Sequence, residues 1–503
     1  MVTPSHENDQ PSSSSSRETY HIARLNWAGL GVVDVKGKAR CVPFTRVGER
    51  VEVRWRDAGW GRVIGERIDD EVERSRLDEE AGCTQARRCT GCSIRQLTAV
   101  QQRLAQEESH LGALRRLSGR SLDDLEVHWL KSPAQEGYRV RVTAAISWHK
   151  SPQEWRLSLR QHWGEAIDLS LCPNHPSGLR KIVAIVNRWM NDHTDSLGLP
   201  SSEGDLGLDL KDFVLSKISV QSGIGSLHWI ILHAEDQSFK GSIKRENRRE
   251  RLALGNLWLD SLPIDSLKAK IAAASLDHGL SIYGELKLRD QEKSSTGMIE
   301  LHHTQDQYWR CQRGHQFIAR PPAWLPQTPS TLESLREAIE HCLWGDKPSI
   351  EPHSSQVFEL GCGVGLMGIA LAQTHLGLLW HGVDIEPMAV ECAKENASLN
   401  EVEDRVSFEA IDGRRGLAVS QMTPSHLVIH AMRRPLSGLL SLAAHKQIKR
   451  ICYLAPSAPA LARDLAEAKE YHLDRVFFID QMPGTAQSMT IAQLTYDSDV
   501  LKV

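Results

Sequence analysis

From about residue 333 the chain alternates short apolar runs with amphipathic stretches, and this alternation restricts its fold more than any other feature. Runs at 356–360, 378–384, 406–410, 426–430 and 450–454 read as strands, while 332–344, 366–373 and 387–399 read as helices. Strands joined through helices pair in parallel, because each helix carries the chain back across the sheet. The expected architecture over 326–503 is a doubly wound, Rossmann-like α/β domain.

The first of these strands runs into Glu359-Leu360-Gly361-Cys362-Gly363-Val364-Gly365, which then opens a helix. Glycines at such a junction let the backbone approach a ligand, and the first N–H groups of the helix face its anionic part. Asp384 ends the next strand, where a carboxylate can accept hydrogen bonds from ribose hydroxyls, and Asp412 follows the strand after that. The spacing suits S-adenosylmethionine, with NAD as the rival. On the plainer reading, Asp384 only caps the helix that begins at Pro387. The candidate cofactor residues are Glu359, Gly361, Gly363, Gly365, Asp384 and Asp412.

Residues 1–19 include Ser12 to Ser16 with Asn, Gln and Pro nearby, too polar to bury anything, and are expected to form a disordered tail. Over 20–72, alternating apolar residues such as Val51-Glu52-Val53-Arg54-Trp55, punctuated by glycine, predict a small OB-like β-barrel. Cys83, Cys89 and Cys92 follow in C-x5-C-x2-C spacing within 73–125, ahead of a helical stretch at 96–117. Thiolates this close in sequence converge on a soft metal at little ordering cost, and Cys172, before Pro173, is the candidate fourth ligand. Zinc more often uses paired C-x2-C knuckles, so the wider gap favours an iron–sulfur cluster; zinc and incidental thiols stay open. Cys41, Cys311, Cys342, Cys392 and Cys452 stand singly and read as small buried hydrophobes.

Residues 126–325 mix strand-like and helical segments, a central α+β domain. With a net charge of −4 over 503 residues, the global field does not announce a polynucleotide partner, so RNA contact must come from local basic surface. Lys240, Lys244, Arg245, Arg248, Arg249 and Arg251 form one such run, with a solvated loop or helix face as its plainer reading. Arg46, Arg50, Arg54, Arg56 and Arg62 with Trp55 and Trp60 form another surface suited to stacking and phosphate contact. Ten cysteines, no signal-peptide pattern and no apolar run near the roughly 18 residues of a membrane span predict a soluble, cytoplasmic chain with no membrane partner. Nothing signals oligomerisation, so a monomer is the default.

Taken together, these features resemble the bacterial RNA uracil-C5 (5-methyluridine) methyltransferases, which join a TRAM β-barrel, a [4Fe-4S] cluster and a class I methyltransferase domain. The resemblance runs from about residue 20 through Gly29-Leu30-Gly31-Val32, the segment Cys83 to Gln96, Cys172-Pro173, the glycine loop, Gly382-Val383-Asp384 and Glu395-Asn396-Ala397. It implies rRNA or tRNA as partner, S-adenosylmethionine as methyl donor and Cys83, Cys89, Cys92 and Cys172 as cluster ligands. In that family a cysteine adds to C6 of uracil and a glutamate later removes the C5 proton. Tyr453, Leu461-Ala462-Arg463-Asp464-Leu465, Asp480, Pro483 and Thr485 match the frames of those motifs, and within them the thiol position is Pro456 and the glutamate position Met489. The family's D-P-P-R is similar to His430-Ala431-Met432-Arg433, and its F-x-Q-x-N appears as Phe317-Ile318-Ala319-Arg320-Pro321. The expectation is an RNA methyltransferase-family protein without the residues for covalent uracil-C5 chemistry. It then either methylates a more nucleophilic atom or is an RNA-binding pseudoenzyme with a structural cluster; a third reading is a redox-responsive binding protein whose cluster gates RNA affinity.

Overall fold

The computed structural model describes residues 17–497 except 27, 58–62, 69–81, 87–88, 151–152, 160–166, 200–212, 225–226, 237–252, 255, 277–279, 288–295, 304–308, 311–313, 324, 346–354, 423, 432–435 and 437. It divides into two compact units. One comprises Met1–Ser109 with His162–Gly164 and Gly484–Ala486, and the other the remainder.

In the first unit β1 (Glu18–His21), β2 (Arg24–Leu25), β3 (Gly31–Val35), β4 (Lys38–Val42), β5 (Arg50–Asp57) and β6 (Val63–Ile68) form one sheet in the order β1-β5-β6-β4-β3-β2. Alternation drives it: Val51 and Val53 of β5 join Ile22, Val33 and Val42 in a small core, while Arg54 and Arg56 face outward to Glu66. The strand β1 starts at Glu18, two residues before the expected start of the fold at Tyr20, because Glu18 and Thr19 already pair with Val53 and Glu52. After the cysteine segment comes α1 (Ala99–Ser118). Its start is set by a reciprocal capping box, in which Gln101 N–H bonds Thr98 Oγ1 at 3.3 Å and Thr98 N–H bonds Gln101 Oε1 at 3.1 Å.

The second unit contains two large sheets. Its strand β7 (Glu126–Leu130) precedes β8 (Arg141–Lys150), β9 (Gln153–Ser158), β10 (Phe213–Ile224), β11 (Leu227–Asp236), β12 (Leu280–Lys287) and β13 (Thr296–His303). The central sheet runs β13-β12-β11-β10-β8-β9, with only β11 and β12 paired in parallel. Its core side packs on α2 (Ser177–Asp192) and α3 (Ile264–Ala272) through Ile182, Val186, Trp189, Leu267 and Ile271. A strand expected from residue 138 starts only at Arg141, because Arg139 and Val140 give their N–H groups to the Asn174 and Gln327 carbonyls instead.

Beyond the short β14 (Trp309–Arg310) and β15 (Gln316–Phe317), the C-terminal region lays down α4 (Leu332–Trp344), β16 (Gln356–Leu360), α5 (Leu366–Thr374), β17 (Leu379–Asp384), α6 (Pro387–Leu399), β18 (Val406–Ala410), α7 (Gly413–Val419), β19 (His426–His430), α8 (Leu439–His445), β20 (Arg450–Ala455), α9 (Ala458–Ala466), β21 (Tyr471–Ile479) and β22 (Met489–Tyr496). The sheet order is β18-β17-β16-β19-β20-β22-β21-β7. Pairing is parallel from β18 to β20, and β22 is antiparallel to both its neighbours. Strand order reverses at β16, whose neighbours are β17 on one side and β19 on the other, which opens a crevice at the strands' carboxyl ends. One segment departs from the sequence reading: residues 126–130, assigned there to the central domain, form β7, which pairs in parallel with β21 at the sheet edge. Cys342, Cys392 and Cys452 are buried as expected, Cys41 is only partly so, and Cys311 lies outside the described residues.

Candidate active site

The carboxyl ends of β16, β17 and β19 gather the side chains that sequence reading singled out. The glycine loop leaves β16 with Gly361, Gly363 and Gly365 all at positive φ (77°, 53° and 82°), a conformation costly for other residues. Its shape is fixed by Gly361 and Cys362 N–H bonds to the Val383 carbonyl and by the Gly363 N–H bond to Asp384 Oδ2 at 2.9 Å. The other Asp384 oxygen accepts the Glu386 N–H at 3.0 Å. Asp384 thus already ties the glycine loop to the start of α6 while remaining partly exposed. A Cβ on Gly363 would meet no atom within 4 Å, whereas one on Gly365 would lie 2.9 Å from Ile369 and Phe408. No side chain caps α5, so its first N–H groups face the loop without a protein acceptor from a capping side chain. Asp412 is exposed and caps α7 through the Arg415 N–H at 3.1 Å.

Glu359 is 1% exposed, with Oε2 accepting from Trp380 Nε1 at 2.7 Å and Oε1 lying 2.8 Å from His430 Nε2. Burial, together with the negative charges of Glu359 and Asp384, pushes the Cys362 thiol up, so it stays protonated. Pro456 follows β20 and is exposed, and Met489 heads β22, its sulfur 3.5 Å from Gln481 Nε2. Neither can add to a ring carbon or take a proton. The nearest thiol in sequence, Cys452, sits fully buried in the middle of β20, and burial and then Cys342 push its thiol well up. It belongs to the core. The surrounding frame is intact: Tyr453 donates to Asp464, whose Oδ1 accepts the Leu436 N–H at 3.1 Å.

Three features were not foreseen from the sequence. Ile385, directly after Asp384, is 75% exposed, an apolar surface at the lip of the crevice. Asn396 of α6, fully buried, exchanges two hydrogen bonds with the Ile318 backbone (2.6 and 2.9 Å) and donates to the Val364 carbonyl at 2.9 Å, while Asn400 does the same with Gln316. Segment 316–318 is thereby clipped to the glycine loop. The third is the His430–Glu359 pair; strand-end histidine and glutamate were each visible, but their pairing needs the β16–β19 register.

In the first unit the cysteine segment is a tight turn: Ala86 N–H bonds the Cys83 carbonyl, Cys89 N–H the Gln85 carbonyl, and Gly91 N–H the Cys89 sulfur at 3.4 Å. Cys172 ends a short 3-10 turn in the second unit. Among the described residues no group of three or more His, Cys, Asp or Glu side chains is arranged to hold a metal ion. Among them, too, no helix is long and apolar enough to cross a membrane. The basic run 240–251, Trp60 and Arg62 lie outside the described residues.

The model for the ribosomal protein L11 methyltransferase family (PrmA) matches residues 332–428, the segment holding the glycine loop and Asp384. The 23S rRNA (uracil(747)-C(5))-methyltransferase RlmC of Proteus mirabilis is 24% identical over 340 residues, covering 66% of this chain and 78% of that protein. Its counterpart in Vibrio cholerae is 22% identical over 414 residues, covering 81% and 97%. Over most of its length the chain is similar to RNA uracil-C5 methyltransferases. The crystal structure of a Pyrococcus abyssi tRNA (uracil-54, C5)-methyltransferase in complex with S-adenosyl-L-homocysteine shares its fold, with a TM-score of 0.60 at 17% identity over 95% of this chain and all of that one. At these identities the fold is shared, while the residues on it are free to differ.

Proposed function

We propose that this chain is an RNA-binding, S-adenosylmethionine-dependent methyltransferase of class I architecture that does not use covalent uracil-C5 chemistry. One observation carries the reading: a partly exposed Asp384 carboxylate beside a left-handed glycine loop with open space over Gly363, at the reversal point in the parallel part of the sheet. The glycine loop and the start of α5 would receive the methionine part, Asp384 the ribose hydroxyls and Ile385 a face of the adenine, with Asp412 at the far rim. The bound sulfonium supplies an electrophilic methyl group; the protein's contribution is to orient it and the acceptor atom. RNA as the substrate class is supported by the names of the relatives, rRNA and tRNA methyltransferases.

What supports excluding the covalent route is Pro456 and Met489 at the thiol and carboxylate positions. In other covalent enzymes, loss of the nucleophile alone costs on the order of a millionfold in rate. The same two residues favour a second reading, a catalytically silent RNA-binding paralogue. We also propose the N-terminal sheet as a TRAM-like module and Cys83, Cys89, Cys92 and Cys172 as [4Fe-4S] ligands. The cluster rests on their spacing and on the amide bond to the Cys89 sulfur, the kind of contact that tunes cluster thiolates. The described side chains do not by themselves compose a metal site. Iron and sulfide analysis of anaerobically purified protein tests the cluster: near four of each per chain supports it, and none rejects it. For the main reading, incubation with methyl-labelled S-adenosylmethionine and RNA from cells lacking the protein should yield a methylated nucleoside other than 5-methyluridine. Labelled 5-methyluridine would refute it, and no label at all would favour the silent paralogue.

A further inference from the structure

The strands β16 and β19 lie side by side at the point where strand order reverses, and each brings one ionisable side chain to its carboxyl end: Glu359 and His430. His430 touches the cofactor loop, since a Cβ on Gly361 would lie 3.2 Å from both its Cβ and its carbonyl oxygen. Glu359 is buried and spends one oxygen on Trp380 Nε1 and the other on His430 Nε2 at 2.8 Å, while the His430 side chain keeps 26% of its surface exposed. The carboxylate therefore selects the tautomer with the proton on Nε2 and leaves Nδ1 as the ring's acceptor. An imidazole oriented by a buried carboxylate is an arrangement suited to accepting a proton. Pro456 and Met489 accept none, and Asp384 is committed to two N–H groups and the place of the ribose.

We propose that His430, oriented by Glu359, is the proton acceptor of this site, and that the atom methylated is a nucleobase nitrogen carrying a proton rather than a carbon. The inference rests on the reading of the crevice as an S-adenosylmethionine site. A pyrimidine C5 needs a nucleophile on the neighbouring carbon before it can attack, and Pro456 offers none; an N–H nitrogen needs only to lose its proton. In the step, the nitrogen lone pair bonds to the methyl carbon, the carbon–sulfur bond breaks with its pair remaining on sulfur, and the nitrogen's proton passes to His430 Nδ1. The exposed part of the ring then returns that proton to water.

A purely structural role for the pair, neutralising buried Glu359, makes a different forecast, so the test reads binding as well as turnover. Wild type, H430A and H430N are titrated with S-adenosylmethionine by calorimetry and assayed for methyl transfer to RNA from cells lacking the protein, with the nucleosides identified by mass spectrometry. Expected are an N-methylated nucleoside from wild type, S-adenosylmethionine affinity in both variants within about threefold of wild type, and a rate lower by about 100-fold. Added imidazole should restore at least part of the rate to H430A. Wild-type rates in both variants, a C-methylated product, lost S-adenosylmethionine binding in both variants, or wild type that binds S-adenosylmethionine without labelling RNA would each overturn the assignment of His430. If wild type itself fails to bind S-adenosylmethionine, the underlying reading of the crevice falls instead.

Discussion

Gly363 and Gly365 share left-handed backbone but differ in what surrounds them, and that difference separates ligand binding from stability. Ala at 365 would have to displace Ile369 and Phe408 as well as adopt a disfavoured φ, so Gly365→Ala should cost roughly 2–4 kcal/mol in denaturant unfolding. Ala at 363 meets open space and should cost only about 1–2 kcal/mol, yet its methyl enters the volume assigned to the cofactor. Calorimetry should therefore find S-adenosylmethionine binding weakened at least tenfold by Gly363→Ala in a protein that remains folded. Equal stability loss in the two variants would contradict this. The glycines and Asp384 were legible because their roles depend on backbone conformation and strand ends, which sequence encodes locally. The His430–Glu359 pair was not, because it joins residues 71 positions apart through a register that only the folded sheet defines.

At the scale of elements, β16 to β20 and the helices α4, α5 and α6 could be read almost to the residue, since buried parallel strands are nearly continuous apolar runs between amphipathic helices, whereas the short helices α7, α8 and α9 were not read. Reading failed where pairing is long-range. The strand β7 is short and only half-buried, and what makes it a strand is β21, some 345 residues later. The clip between α6 and segment 316–318 was hidden for the same reason. It makes a sharp prediction: Asn396→Ala removes three hydrogen bonds from a fully buried side chain and strands the Ile318 N–H and two carbonyls, costing about 3 kcal/mol in equilibrium unfolding. Because the Val364 carbonyl belongs to the glycine loop, S-adenosylmethionine affinity should fall in the same variant, whereas Asn396→Asp should not restore it. A change below about 1 kcal/mol would mean that the clip does not hold the segment.

For the molecule as a whole, acid should act through histidines buried in the neutral form. Burial lowers His110 from 6.5 to about 4 where it lies between Trp129 and Phe478, and burial followed by the Arg139 charge lowers His175 to about 4. Their folded values lie below the unfolded one, so the unfolded chain binds more protons between pH 6.5 and 4. Stability is thus complete above about pH 6.5 and is lost as pH falls through that window. His110 alone should account for about 2–3 kcal/mol of the loss between pH 7 and 4.5, and His110→Phe should flatten that part of the profile in denaturant titrations. An unchanged acid slope in the variant would show that His110 is not buried neutral. The core clusters, the Tyr453–Asp464 bond and the glycine loop of the second unit do not depend on Pro456.

A nucleotide crevice built around Asp384 stands or falls on calorimetric titration of the purified protein with S-adenosylmethionine, beside Asp384→Ala. One site per chain in wild type and at least tenfold weaker binding in the variant are expected. No heat of binding in folded wild type, or equal affinity in both proteins, would contradict it.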